Sequence, residues 1–171
     1  MYSTRRIANY YIDYALKSDY ALQLHVNPMK LQKLIYFAHG WHLAILNKPL
    51  LKEDIHAWSW GVVIPSLYYD LRNYGNTDII ACLDEMSFDK DFGILNVGEK
   101  LEKETCELLD RVWIVYSPYT HIQLANMTNM ENTPWYDIYE HYYHNIDSVA
   151  IPNDLIKEYF TKLDNMNRHE S

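Results

Sequence analysis

The stretch from Pro28 to Leu46 constrains this chain more than any other, because apolar residues cover most of the circumference of what reads as one helix. Asn27 and Pro28 open it as N-cap and first-turn residue, where a missing backbone N–H leaves no helical bond unmade. Leu31, Leu34, Ile35, Ala38 and His42 fall on one side, Phe37, Trp41, Ala44 and Ile45 widen the stripe, and Asn47-Lys48-Pro49 supplies the stop. A helix so broadly apolar belongs at the centre of a domain, with other helices packed around it.

The remaining periodicities supply those helices. Ile7, Tyr10, Tyr11 and Tyr14 repeat at i, i+3, i+4 and i+7, which predicts a helix over 4–17. Ile55 to Trp60 alternates and is ended by Gly61, so a small extended element is expected near 55–64. Pro65 starts a short helix through Asn73, with Gly75 placed to stop it. Leu101, Thr105, Leu108, Leu109, Val112 and Tyr116 mark a helical face from about Glu99 to the Ser117-Pro118 break. Thr120 and Gln123 form a capping-box pattern, Pro134 opens another helix, and Leu155, Ile156, Tyr159, Phe160 and Leu163 share the face of a last one. Residues 165–171 read as a frayed tail. Residues 76–98 lack periodicity and carry Asp84, Glu85, Asp89 and Asp91, an irregular acidic excursion. The expectation is a mainly α single domain over 1–171, about six helices around the 28–46 helix.

A formal net charge of -8 argues against general nucleic-acid binding, whose affinity comes from clustered Lys and Arg, and favours a basic protein partner. Cys82 and Cys106 fit neither a zinc motif nor a disulfide framework, so a reducing cytoplasm is the expected home. Asp13 interrupts the apolar stretch after Arg5 and Arg6, and the run from Leu34 to Leu46 is too short to cross a bilayer, so neither export nor a membrane is expected. His39 with His42 and His141 with His144 are spaced to share a helical face, as metal ligands can be. Neither pair sits in an H-E-x-x-H or C-x-x-C motif, and packed or surface histidines explain both. No nucleophile elbow or phosphate-cradling glycine loop occurs, so neither catalysis nor a cofactor is expected. A metal-dependent enzyme would need a deep polar pocket beneath His39, His42 and His56.

The run Leu31-Gln32-Lys33-Leu34-Ile35-Tyr36-Phe37-Ala38-His39-Gly40-Trp41-His42-Leu43-Ala44 closely resembles the signature of the Panacea domain of SocA-like antitoxins and phage-associated GepA-like proteins. The likeness continues through Lys48-Pro49-Leu50, Ala57-Trp58, Trp60-Gly61, Pro65-Ser66-Leu67-Tyr68, Arg72, Tyr74 and Gly75. Late in the chain, Thr128, Glu131 and Pro134-Trp135 are similar to the family's T-H-x-E-x-P-W element, and Ile151 to Leu163 to its terminal helix. Two positions depart from the pattern: Val62 stands where the family has a proline, and Asn129 where it has a histidine. The resemblance implies an antitoxin that neutralises a cognate protein toxin by direct binding, with delivery of the toxin to a protease as the alternative.

Trp, Tyr and Arg dominate protein interfaces, which makes Trp60, Tyr69, Arg72 and Tyr74 the first candidates for the partner surface. Asp84, Glu85, Asp89 and Asp91 form a second, suited to steering a basic toxin, and Tyr136 and Tyr143 extend the aromatic set. Trp58, Tyr68, Trp135 and Tyr139 are expected in the core. A second copy of the chain is a further candidate partner.

Overall fold

In the computed structural model, which describes residues 1–17, 25–84, 86–89, 93–96, 100–142 and 147–169, there are seven α-helices and the second of them is central. That helix, α2 (Pro28–Leu46), starts where Asn27 Oδ1 accepts from the Lys30 amide at 2.9 Å and ends at Asn47 in the left-handed conformation, φ 54°. Leu31, Leu34, Ile35, Tyr36 and Ala38 along it are fully buried. It packs against α1 (Thr4–Lys17), α3 (Pro65–Leu71), α4 (Lys103–Tyr116), α5 (His121–Asn129) and α7 (Asn153–His169), while α6 (Pro134–His141) bridges α5 and α7. A close approach is made at Gly40, where a Cβ would come within 2.1 Å of the Phe160 ring of α7.

The expected extended element is a hairpin rather than one segment. β1 (His56–Trp58) pairs antiparallel with β2 (Gly61–Val63), Ala57 opposite Val62, and β5 (Val149–Ala150) adds to the other side of β1. Gly61 therefore opens a second strand instead of ending the first. It sits at φ 130°, where side chains are rarely tolerated, and a Cβ there would also press on the Asn129 side chain at 2.9 Å.

Helix ends follow local chemistry. Thr120 and Gln123 form the capping box of α5, and the Thr133 hydroxyl accepts from the Tyr136 amide to start α6. α3 tightens into a 3-10 turn over Arg72–Tyr74 that Gly75 closes at φ 56°. α4 begins at Lys103, a turn later than its apolar pattern, because buried Leu101 lies in the preceding extended chain.

Two further expectations change. Within 76–98, β3 (Met86–Asp89) pairs antiparallel with β4 (Gly93–Asn96), Phe88 opposite Ile94. Each strand offers only four residues, too short an alternation to stand out among so many acidic positions. The presumed frayed tail is helical through His169, and an Arg168–Asp164 pair at 2.7 Å links its last turns. Residues 170 and 171 lie outside the described chain. Among the described residues no helix is long and apolar enough to cross a membrane.

Candidate partner-binding site

The hairpin is held by side chains that reach it from three helices. Trp135 Nε1 on α6 donates to the Trp58 carbonyl at 2.8 Å, Asn129 Nδ2 on α5 to Trp60 O at 3.4 Å, and Lys33 Nζ on α2 to Val62 O at 2.7 Å. Gln32 completes the series, donating from Nε2 to Ile64 O at 3.2 Å and accepting from the Ile64 amide at 2.9 Å. Every second carbonyl from residue 58 to 64 thus has a side-chain donor. Gln32 and Lys33 are the polar pair inside the Leu31-to-Leu34 run, and Asn129 reaches the hairpin through its side-chain amide.

This clamp presents Trp60 to solvent, 68% exposed, at the hairpin tip. Trp58 makes edge contacts with Trp60 and Tyr68, ring centroids 5.9 and 5.0 Å away, and Tyr68 meets Tyr69 at 5.5 Å. Between the hairpin, the start of α2 and α3 lies a groove of about 440 Å³ lined by Met29, Lys33, Trp60, Val63, Tyr68 and Arg72 among others. Tyr68 is 42% exposed rather than in the core. Leu67 and Leu71 take the inward face of α3, and a residue next to Leu67 is turned about 100° away from it. Trp58 is half-buried, its indole N–H donating to Ser148 Oγ at 3.0 Å.

Lys33 is 4% exposed, and burial alone lowers its pKa to about 8. Lys30, also buried, donates to Ser117 O at 2.7 Å; burial lowers its pKa against an opposing pull from Asp78. The two buried histidines of α2 are occupied. His39 Nδ1 accepts from the Leu51 amide at 3.3 Å, which leaves Nε2–H to donate to Asn153 Oδ1 at 2.8 Å. His42 Nδ1–H donates to Lys48 O at 2.6 Å and Nε2 accepts from the Thr105 hydroxyl at 3.2 Å. Both are therefore neutral packing residues, with burial lowering the pKa of each, His39 to about 4. His56 pairs with Ser148 Oγ. Among the described residues no group of three or more His, Cys, Asp or Glu is placed to hold a metal.

Of the residues singled out in the sequence, Trp60 and Arg72 come together on the groove, with Tyr69 exposed beside Tyr68. Tyr74 is half-buried against the core and Tyr136 half-buried on α6, no residue of which lines the groove. Asp84 is exposed, its carbonyl accepting from Arg5 Nη1 at 3.4 Å while the same guanidinium clasps Asp70 at 2.6 Å. Asp89 ends β3 opposite Gly93. Glu85, Asp91, Tyr143 and His144 lie outside the described residues. Sequence reasoning missed Met29, Lys33 and Val63 as groove residues. The available signal was Lys33 itself, a charge inside an apolar helix.

A central helix clamped to a hairpin, ringed by helices and carrying an aromatic groove, defines a mainly helical domain with one candidate binding face. The chain belongs to the SocA-like antitoxin family, whose Panacea domain model matches residues 31–136. It is similar to antitoxin SocA of Caulobacter vibrioides (strain NA1000 / CB15N), 28% identical over 131 residues, 77% of this chain and 67% of that protein. No solved structure matches it.

Proposed function

We propose that this chain is a cytoplasmic antitoxin that neutralises a cognate protein toxin by binding it directly, not an enzyme. The observation that carries the reading is Trp60, a large apolar ring held in water at the tip of the clamped hairpin within a family of antitoxins. A ring so exposed contributes little to folding, whereas Trp, Tyr and Arg grouped around a recess are the residue types on which protein interfaces depend. The family signature supports the same reading, since Gln32 and Lys33 hold the hairpin that displays Trp60.

The test is co-expression with the product of the neighbouring reading frame. Growth arrest by that product alone, relieved by this chain and lost again with Trp60→Ala, is the expected result. A purified 1:1 or higher-order complex should form from the two proteins alone. If relief occurs only in cells that hold a particular protease, the chain delivers the toxin for degradation and direct blocking is wrong.

A further inference from the structure

The charge of the groove opposes the charge of the chain that carries it. The formal net charge is -8, yet the charged residues of the groove lining are Lys33 and Arg72. Lys33 donates one hydrogen bond, to Val62 O, and among the described residues it has no carboxylate neighbour. An ammonium has three N–H donors, and a buried cation lacking a counter-anion is costly unless one is supplied. Arg72 is exposed just after α3 and makes no ion pair among the described residues. Gln32 and Asn76 add neutral polar groups, and most of the remaining wall is apolar or aromatic, including Met29, Val63, Trp60 and Tyr68.

We propose that this groove binds a short segment of the partner protein in which an aromatic or long aliphatic side chain sits beside a carboxylate. The side chain fills the space against Trp60 and Tyr68, and the carboxylate pairs with Lys33 and Arg72. The inference rests on the reading that the chain acts by binding a protein. A peptide suits the site better than a small acid, because Trp60 at 68% and Tyr68 at 42% exposure leave wall surface that only flanking residues of a chain would cover. The partner as a whole can still be basic; the acidic contact is local and selects the segment, while the field of the whole chain acts at longer range.

The test selects displayed random peptides on the purified 171-residue chain and measures the winners by fluorescence anisotropy. Selected peptides should share Asp or Glu within about two residues of Phe, Trp, Leu or Met. Trp60→Ala and Arg72→Gln should each weaken binding about tenfold or more. Changing the peptide carboxylate to an amide should do the same against the native chain and much less against Arg72→Gln/Lys33→Met. Arg72→Gln alters an exposed side chain, so it carries the charge test even if Lys33→Met disturbs the hairpin. Failure to select any peptide, binding indifferent to Trp60→Ala, or equal binding of acid and amide peptides overturns the proposal. So does 3-phenylpropanoate binding as tightly as the peptides, since the site would then belong to a small acid. If peptides bind as stated but the neighbouring gene product is not neutralised, the antitoxin reading falls and the groove stands. If Trp60→Ala/Arg72→Gln loses the peptides yet still rescues growth, the groove falls as the toxin contact and the antitoxin reading stands.

Discussion

The Lys33 ammonium and the Val62 carbonyl, 2.7 Å apart, join the central helix to the hairpin through a buried cation that no carboxylate among the described residues offsets. The bond anchors β2, and its strength as a charge-assisted contact opposes the desolvation of the charge. Burial prevails over the charged form, which is why the pKa falls to about 8.

That balance sets a pH dependence with a definite sign. The unfolded chain holds this proton up to an ordinary lysine pKa, the folded chain only to about 8, so between those values the unfolded state binds more protons. Stability should therefore rise with pH from about 8 towards 10, by on the order of 2–3 kcal/mol from this group. Urea unfolding of the native chain and Lys33→Met from pH 7.5 to 9.5 checks it. The difference between the two should shift steadily across that range; parallel curves would mean Lys33 is not the group.

His39 acts at the acid end. Its folded pKa, about 4, lies below the ordinary histidine value, so as pH falls the unfolded state takes up the proton first. The stability that the neutral imidazole allows is complete above about pH 6.5 and is lost as pH falls towards 4. Acid unfolding of the native chain should be steep in that window. In His39→Gln the slope should flatten, although the variant is weaker at pH 7 because the pairing to Leu51 and Asn153 is imperfect. A slope unchanged by the substitution would place the acid sensitivity elsewhere.

Features set by neighbouring residues were readable from sequence, and features set by distant ones were not. Asn27-Pro28, Thr120-Gln123 and Ser117-Pro118 act within a turn of themselves, so they marked helix ends that the structure reproduces. Burial along α2 was legible because its apolar residues wrap most of the circumference. The clamp was not, since Gln32 reaches Ile64 and Lys33 reaches Val62 across a fold that spacing does not describe. Tyr68 misled for a related reason: membership in a shared motif says a position matters, whereas its direction depends on which neighbours, here Leu67 and Leu71, take the inward face. Trp60 and Arg72 could be named, yet their meeting on one groove depends on where α3 packs.

Gly40 offers a test of the packing that makes α2 central. Its missing side chain lets Phe160, fully buried and edge-on to Trp41 at 5.2 Å, lie against the helix backbone. Gly40→Ala improves helix propensity by about 0.5–1 kcal/mol but drives a methyl into that ring, so a net loss of about 3 kcal/mol is expected. Adding Phe160→Leu should make the double variant at least about 1 kcal/mol better than the sum of the single losses, because the smaller side chain removes the clash. Strict additivity in thermal or urea unfolding would show that α7 shifts to absorb the methyl.

Charge reversal separates attraction at a distance from grip at contact. Changing Asp84, Glu85, Asp89 and Asp91 to Lys takes the formal net charge from -8 to about zero without touching the groove lining. For a basic toxin the association rate should fall about tenfold at low salt and by much less near 0.15 M, where screening acts within about 8 Å. The dissociation rate should barely move, as expected for charges that act by steering the encounter. Trp60→Ala should do the reverse, speeding dissociation while leaving association nearly unchanged. Stopped-flow and surface-binding kinetics at two ionic strengths read both rates. An association rate unaffected by the four reversals at low salt would remove steering and leave recognition to the hairpin and groove alone.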